Sequence, residues 1–428
     1  MNSPTRLADP PDQRAAMLQR YSATRQQTEA LAAPLSPEDQ TLQSMADASP
    51  TKWHRAHTTW FFETFLLHAF LPDYRVHHPD YHYLFNSYYE AEGPRHPRPQ
   101  RGLLSRPGIA EIAAYRQHVD AAMERLILGA DRAVWPRVAP LLELGLNHEE
   151  QHQELILMDI KHALSLNPLL PAYAPARPHE LRRAAPLGFI EFAGGLVDIG
   201  HDGPDFTFDN EGPRHKVWLE PFRLGSRLVT CGEYLAFIAD GGYRRAELWL
   251  SEGWATVQRE GWSAPLYWLN DDGGWSVFTL SGQRALDAAE PVCHVSHYEA
   301  DAYARWAGKR LPSEAEWEVA AAESGVALAG NDMDRGVFHP LAAAPGAGLS
   351  QMIGDVWEWT QSPYVGYPGY RPMAGAVGEY NGKFMNNQMV LRGGAAVTPA
   401  GHVRITYRNF FPSASRWAFG GIRLAEDL

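Results

Sequence analysis

Cysteine is nearly absent: Cys231 and Cys293 are the only two in 428 residues. That excludes a disulfide framework and all but excludes thiolate-bound metal clusters, leaving His, Asp and Glu as the residues for any metal. Long apolar runs are missing as well. No stretch approaches the roughly 20 apolar residues that a membrane span needs, and the opening MNSPTRLADPPDQR has no apolar core of the signal-peptide kind. A cytoplasmic protein without membrane association is expected. Positive charge is scarce too. Lys+Arg total 38 against Asp+Glu 50, a net charge of -12, and with no long basic stripe such a chain repels phosphate backbones, so nucleic acid is not an expected partner.

What is present divides into two textures. The length exceeds the usual size of one core, which predicts two domains, and 45% hydrophobic with 21% charged residues is an ordinary globular composition. From about residue 10 to 166, stretches such as EIAAYRQHVDAAMERLIL and WPRVAPLLELGLNHEEQHQELILMDIKHAL repeat apolar residues every three to four positions, predicting a helical bundle over 1–166. Within it the Pro/Gly/Arg-rich passage YHYLFNSYYEAEGPRHPRPQRGLLSRPG is too long for a plain turn, and loops of that kind in compact domains tend to be functional. Residues 167–187, rich in proline and polar groups, read as a linker. From 188 to 428 short apolar runs, many Gly and Trp and few helical stretches predict a mixed domain dominated by irregular structure.

The sharpest local signal is NHEEQHQE at 147–154. His148 and His152 stand four apart, so on a helix they share one face and can meet one metal ion. An i,i+4 histidine pair can also be a plain polar helix face. Leu144, Leu155 and Met158 nevertheless place this helix in a core, where unpaired imidazoles are costly. Gln151 falls beside that face, within reach of an open metal position, whereas Glu154 is rotated away and suits a supporting role. A third ligand must come from another helix. TKWHRAHTTWFFETFLL offers His54 and His57, and periodicity does not choose between them. Three imidazoles with further positions open suit iron(II) that holds substrate and dioxygen together; zinc with an activated water would fit the same ligands.

A second signal spans the C-terminal half: DNEGPRH at 209–215, LPSEAEWEVAA at 311–321, GDVWEWTQSPY at 354–364, LRGGAA at 391–396 and YRNFFPSASRWAFGGIRLA at 407–425. Each alone could be packing; in this order they are specific. This half resembles the formylglycine-generating-enzyme-like fold shared with C-type-lectin-like domains. The N-terminal half, with WHRAHTTWFFETFLL and NHEEQHQE, resembles the DinB-type four-helix bundle with its three-histidine metal site. Their fusion, with LFNSYYEAEGPRHPRPQRGLLSRP, resembles the sulfoxide synthases of ergothioneine biosynthesis over nearly the whole chain. The fold class implied is α + (α+β).

The resemblance implies an iron(II) enzyme that uses O2 to join a thiol, cysteine or γ-glutamylcysteine, to the imidazole C2 of Nα-trimethylhistidine. It implies His57, His148 and His152 as ligands, with His54 a helix-packing residue, Gln151 hydrogen-bonded to the substrate imidazole, and Arg95 and Arg98 on the sulfur substrate. Small molecules are thus the expected partners, and no obligate protein partner is inferred. Copper-binding cysteines expected after the RGG stretch of formylglycine-generating enzymes are absent from AAVTPAGHVRITYRN, which argues against formylglycine formation and leaves that domain as a wall for the iron site. Because a trimethylammonium accepts no hydrogen bond and favours aromatic faces, Trp417, Phe410 and Phe411, with Asn409 nearby, are candidates for holding it; each reads equally well as a core aromatic. Relatives use an active-site tyrosine whose position varies. Tyr88 or Tyr89, in the irregular loop before the arginines, is the expected proton donor, ahead of Tyr364, Tyr380 and Tyr407. Alternatives are a synthase coupling at another imidazole carbon (a 5-histidylcysteine sulfoxide product), one using selenium, a metal-dependent DinB-type thiol transferase, and a non-catalytic lectin-like binding module.

Overall fold

The computed structural model describes residues 10–178, 183–271, 274–379 and 381–428. The chain forms two compact units, Met1–Ala163 and Leu164–Leu428.

The first unit is a helical bundle built around a helix with no solvent face. Helix α1 spans Pro10–Ala32 and α2 spans Thr51–Phe62, starting directly after an extended Pro50 that cannot continue a helix backwards. All twelve residues of α2 are buried. A helix apolar on every side would suit that position, yet α2 carries Lys, Arg, His and Thr, so its polar groups must be satisfied inside the bundle. Arg55 donates to Glu29 and Gln40, and Thr59 Oγ1 accepts from Arg25 at 2.9 Å. The helix runs on through a π turn, Glu63–Leu67, into α3 (His68–Phe70). There the buried Glu63 accepts the Tyr115 hydroxyl at 2.5 Å. After the short α4 (Tyr81–Phe85) comes the irregular loop, then α5 (Ile109–Gly129) and the 31-residue α6 (Trp135–Ser165). Helix α2 packs against α1 and α5.

The second unit has twelve short strands among the described residues, arranged in four small sheets. β1 (Phe189–Phe192), β4 (Phe222–Gly225) and β12 (Ala425–Asp427) form one, and β2 (Gly195–Ile199) pairs with β3 (His215–Leu219). β5 (Trp268–Asp271), β6 (Gly274–Thr279) and β7 (Gly282–Ala285) form a meander. The central sheet runs β10 (Asn409–Phe411), β9 (Met389–Arg392), β8 (Trp357–Pro363), β11 (Gly420–Gly421), with only β8 and β11 parallel. Helices α7 (Cys231–Ala239), α9 (His297–Trp306) and α10 (Glu314–Glu323) each begin with a reciprocal capping box, Thr230/Glu233, Ser296/Glu299 and Ser313/Glu316; α8 (Ser251–Glu260) ends on a left-handed Gly261.

With so little regular structure, buried ion pairs hold this unit together, and they are the motif residues themselves. Arg392 of the RGG stretch reaches Glu318 at 2.8 Å; Arg408 pairs with Glu314 at 2.8 Å; Arg423 grips Glu358 at 2.7 Å, and Glu358 also accepts Trp317 Nε1 at 2.9 Å. The segment following α6 is tied to this unit, since the Tyr173 and Ala174 amides both donate to the Leu280 carbonyl, at 2.8 and 3.1 Å.

Candidate metal centre

Helix α6 is locked in rotation by the residue next to its first histidine. Glu149 is fully buried and accepts from Arg25 Nη1 at 2.8 Å, Thr28 Oγ1 at 2.7 Å and Arg116 Nη2 at 3.1 Å. Burial alone would raise its carboxyl; Arg25 and Arg116 outweigh that and hold it below the usual range. With Glu149 turned toward the arginines, His148, about 100° round the helix, faces α2, and His152 lies one turn on along the same face.

There the two histidines meet His57. The ring centroids are 5.0 Å apart for His57 and His148, 4.7 Å for His57 and His152, and 4.6 Å for His148 and His152. One nitrogen from each falls within 4.8 Å of the other two. All three are buried, at 0, 1 and 8% exposure for His57, His148 and His152. His57 Nδ1 donates to the Phe85 carbonyl at 2.6 Å, which leaves Nε2 free to turn toward His148 Nε2, 3.2 Å away. Trp53 and Trp60, one turn before and after on α2, lie nearly parallel to His57 at 4.7 and 5.6 Å and fix its plane. Burial drives the His148 imidazole down to about 3, and burial plus the neighbouring imidazoles holds His57 and His152 well below their usual value. The cluster is therefore three neutral imidazoles at neutral pH, a donor set that binds a divalent transition metal.

His54 does more than pack. Its Nδ1 lies 2.8 Å from His152 Nδ1 and its Nε2 lies 3.0 Å from Asp159 Oδ2. That corrects the packing role implied by the family resemblance: one imidazole of α2 faces the triad and the other stands behind it. Asp159 was missed in the sequence, although its spacing of seven from His152 puts it on the same face of α6.

Of the remaining predicted residues, Gln151 is half-buried on α6, three residues beyond His148. Arg95 is half-buried and paired with Glu90, while Arg98 is exposed and donates to the Asp47 carbonyl. The arginine that reaches inward is Arg101, unremarked in the sequence. It is buried with its guanidinium 3.4 Å over the Trp53 ring, donates to Ser49 Oγ at 2.9 Å, and adds its charge to those depressing His54, His57 and His152. Tyr89 is buried with its ring against Trp60 (5.5 Å) and Phe65 (5.2 Å), one aromatic contact removed from His57; Tyr88 is half-buried beside it at 4.7 Å.

In the second unit, the four candidates on and after β10 divide between two faces, because successive strand residues point opposite ways. Phe410 stacks on Tyr364 at 4.0 Å and lies 5.8 Å from Phe384. Phe411 meets Trp417 edge-on at 5.6 Å, and Asn409 shares its parity. The indole Nε1 of Trp417 is buried with no hydrogen-bond partner among the described residues. Of the competing tyrosines, Tyr364 is buried against Asn210 (2.9 Å) and Tyr407 is buried near Trp357; Tyr380 lies outside the described residues. A cavity of about 750 Å³ walled by Val326, Asn331, Leu341 and Asp355 contains none of the predicted site residues.

Comparison with known proteins matches the DinB superfamily to residues 20–156 and the Sulfatase-modifying factor enzyme 1-like domain to residues 176–335 and 336–428. The hercynine oxygenase of Mycolicibacterium thermoresistibile is 36% identical over 365 residues, covering 78% of this chain and 78% of that protein. This chain belongs to the hercynine oxygenase family. The hercynine oxygenase of Mycobacterium tuberculosis is 37% identical over 310 residues, 66% of this chain and 70% of its own. The formylglycine-generating enzyme of Thermomonospora curvata is 31% identical over 224 residues, covering 40% of this chain and 70% of that enzyme. As a hercynine oxygenase family member the protein is an oxidoreductase combining a helical DinB domain with a sheet-containing second domain. Among its described residues no helix is long and apolar enough to cross a membrane.

Proposed function

We propose that this oxidoreductase acts in ergothioneine biosynthesis, joining a thiol, cysteine or γ-glutamylcysteine, to the imidazole C2 of Nα-trimethylhistidine (hercynine) with O2, and releasing the sulfoxide. The observation that carries the reading is the buried cluster of His57, His148 and His152 in a chain of this family. The overall change balances without an external reductant. The thiol S–H and the imidazole C–H are lost and a C–S bond forms, one oxygen atom ends on sulfur, and the other leaves as water. Four electrons leave the two substrates and four enter O2.

Three neutral imidazoles with no carboxylate or thiolate among them fit iron(II), leaving coordination positions for both substrates and O2. When bound, the iron supplies one-electron chemistry and a template on which thiolate and imidazole are held together. The chain's own residues do the rest. Burial keeps the three histidines unprotonated, and the Trp53 and Trp60 planes keep His57 from turning. Gln151, beside His148 on α6, is assigned a hydrogen bond to the substrate imidazole. Arg95 and Arg98, whose guanidinium groups lie half-buried and exposed on the loop, are assigned to the thiol's carboxylates. Phe411 and Trp417 offer edge and face to the trimethylammonium, with Asn409 on the same side of the strand. The proton that oxygen reduction requires is assigned to Tyr88 or Tyr89.

The test is anaerobic reconstitution with iron(II), followed by oxygen uptake and mass spectrometry with hercynine and a panel of thiols. Uptake that depends on both hercynine and a thiol, with a product sixteen mass units above the thioether, is expected. Oxygen consumption unaffected by hercynine would overturn the reading.

A further inference from the structure

We infer that His54 and Asp159 form a buried relay that sets the tautomer and orientation of His152, making them positioning residues of the metal centre. The inference rests on the three-histidine reading above and goes beyond it, since neither residue is a ligand.

The argument is one of hydrogen-bond direction. His152 Nδ1 lies 2.8 Å from His54 Nδ1, so one of these nitrogens donates and the other accepts. His54 Nε2 lies 3.0 Å from Asp159 Oδ2. That same oxygen accepts the Ser49 amide at 2.8 Å, and a carboxylate oxygen set between two nitrogens is the acceptor of both, so His54 Nε2 is assigned as the donor. A neutral imidazole has a single N–H. His54 Nδ1 is therefore the acceptor, His152 Nδ1 carries the hydrogen, and His152 Nε2 is left with the lone pair that the inference assigns to the metal. The opposite setting would put the hydrogen on His152 Nε2 and exclude it from coordination.

The placement of the relay makes this setting hard to escape. His54 and Asp159 are both buried, so a broken link leaves a polar atom without water. Ser49, the residue before Pro50 and α2, is itself held by Arg101, which donates to its hydroxyl at 2.9 Å. The carboxylate is thus clamped to the start of the helix that carries His54 and His57. Two of the three ligands acquire their tautomer in different ways: His57 from a backbone carbonyl at 2.6 Å, His152 from two side chains. Only the second can be altered by mutation without moving the main chain.

The experiment uses the full-length protein stripped of metal and titrated with cobalt(II), followed by its visible ligand-field absorption. His54→Phe keeps the ring and removes both hydrogen bonds; Asp159→Leu removes the terminal acceptor. Each is expected to weaken cobalt binding roughly 10- to 100-fold and to change the ligand-field spectrum. His54→Gln, whose amide oxygen and nitrogen can accept from His152 and donate to Asp159, is expected to restore most of the affinity and the parent spectrum. Should His54→Phe fail to fold, Asp159→Leu and the His54→Gln rescue carry the test. His57→Ala separates the two readings. If it abolishes cobalt binding while His54→Phe and Asp159→Leu bind with parent affinity and spectrum, the relay is wrong and the metal centre stands. Parent-like binding by His57→Ala overturns the metal centre itself.

Discussion

Glu149 is the residue whose replacement tests most directly how the bundle aims its histidines. Glu149→Gln preserves shape and removes one charge. Its amide oxygen can still accept from Thr28 and Arg116, but the amide nitrogen then faces Arg25 Nη1, donor against donor, where a 2.8 Å ion pair stood. Removing one partner of a buried ion pair costs roughly 3–5 kcal/mol because the remaining charge is left uncompensated. Here the low end applies, since Arg25 keeps Asp120 at 2.8 Å and Arg116 keeps Glu29. Taking about 3 kcal/mol and about 1.4 kcal/mol per tenfold, hydrogen exchange of the slowest α6 amides should accelerate roughly 150-fold. Exchange resolved to α6 is the right assay, because a chain of two units has no single unfolding free energy. Metal affinity should fall in parallel, as α6 loses the contact that turns His148 inward. Acceleration below about fivefold would refute the reasoning, showing that Asp120 and Glu29 alone satisfy the arginines.

Further outcomes follow from the same geometry. Purified protein should hold about one metal ion per chain, and His57→Ala, His148→Ala and His152→Ala should each lose it in elemental analysis. In metal-free protein, burial sets the folded His148 value at about 3, below the roughly 6.5 of an unfolded chain. The unfolded state therefore takes up the proton first, and the stability present above pH 6.5 is lost as pH falls toward 3. By pH 5.5 His148 alone accounts for about 1.4 kcal/mol, so His148→Gln should flatten the pH dependence of the opening free energy read from the slowest α6 amides by that amount; equal slopes in both proteins would exclude it. Trp417→Ala should raise KM for hercynine roughly 2- to 30-fold, the range of a cation–π contact of about 0.5–2 kcal/mol, and an unchanged KM would remove Trp417 from the substrate. In both Tyr88→Phe and Tyr89→Phe iron content should persist, and in the one that removes the donor sulfoxide should fall and thiol oxygenation take over. Sulfoxide at the parent rate in both variants and in the double variant would show that neither hydroxyl is the donor.

The histidine pair on α6 was legible because an i,i+4 spacing inside a continuous apolar stripe has few other uses. The partner on α2 was not. That helix is buried on every side, so the apolar neighbours that normally reveal an inward face surround His54 and His57 alike, and only tertiary contacts distinguish them. The same ambiguity hid the role of His54. Asp159 could have been found by continuing the face of His148 and His152 two turns further, and Arg101 by asking which arginine of PRPQRG has an aromatic ring to lie on. Side-chain reach from irregular backbone has no period, and the loop between α4 and α5 gave no basis for choosing among Arg95, Arg98 and Arg101.

In the second unit the legible motifs and the chemistry separate. DNEGPRH, SEAEWE, DVWEWT, LRGG and the arginines around YRNFF and GGIRLA are recognisable because they are mutually paired: Arg392 with Glu314 and Glu318, Arg408 with Glu314, Arg423 with Glu358, Arg404 with Glu211. A unit made of strands of two to seven residues cannot rely on ladders, so charged residues at zero or near-zero exposure hold its loops, and losing either partner leaves a buried charge. Such residues cannot be exchanged singly, which makes them good markers of the fold and poor markers of a reaction. The residues that would distinguish a betaine-binding member are the half-buried ones the framework does not consume, Asn409, Phe411 and Trp417. They lie within a motif without belonging to its ion pairs, and that is where substitutions should alter substrate affinity without loosening the fold.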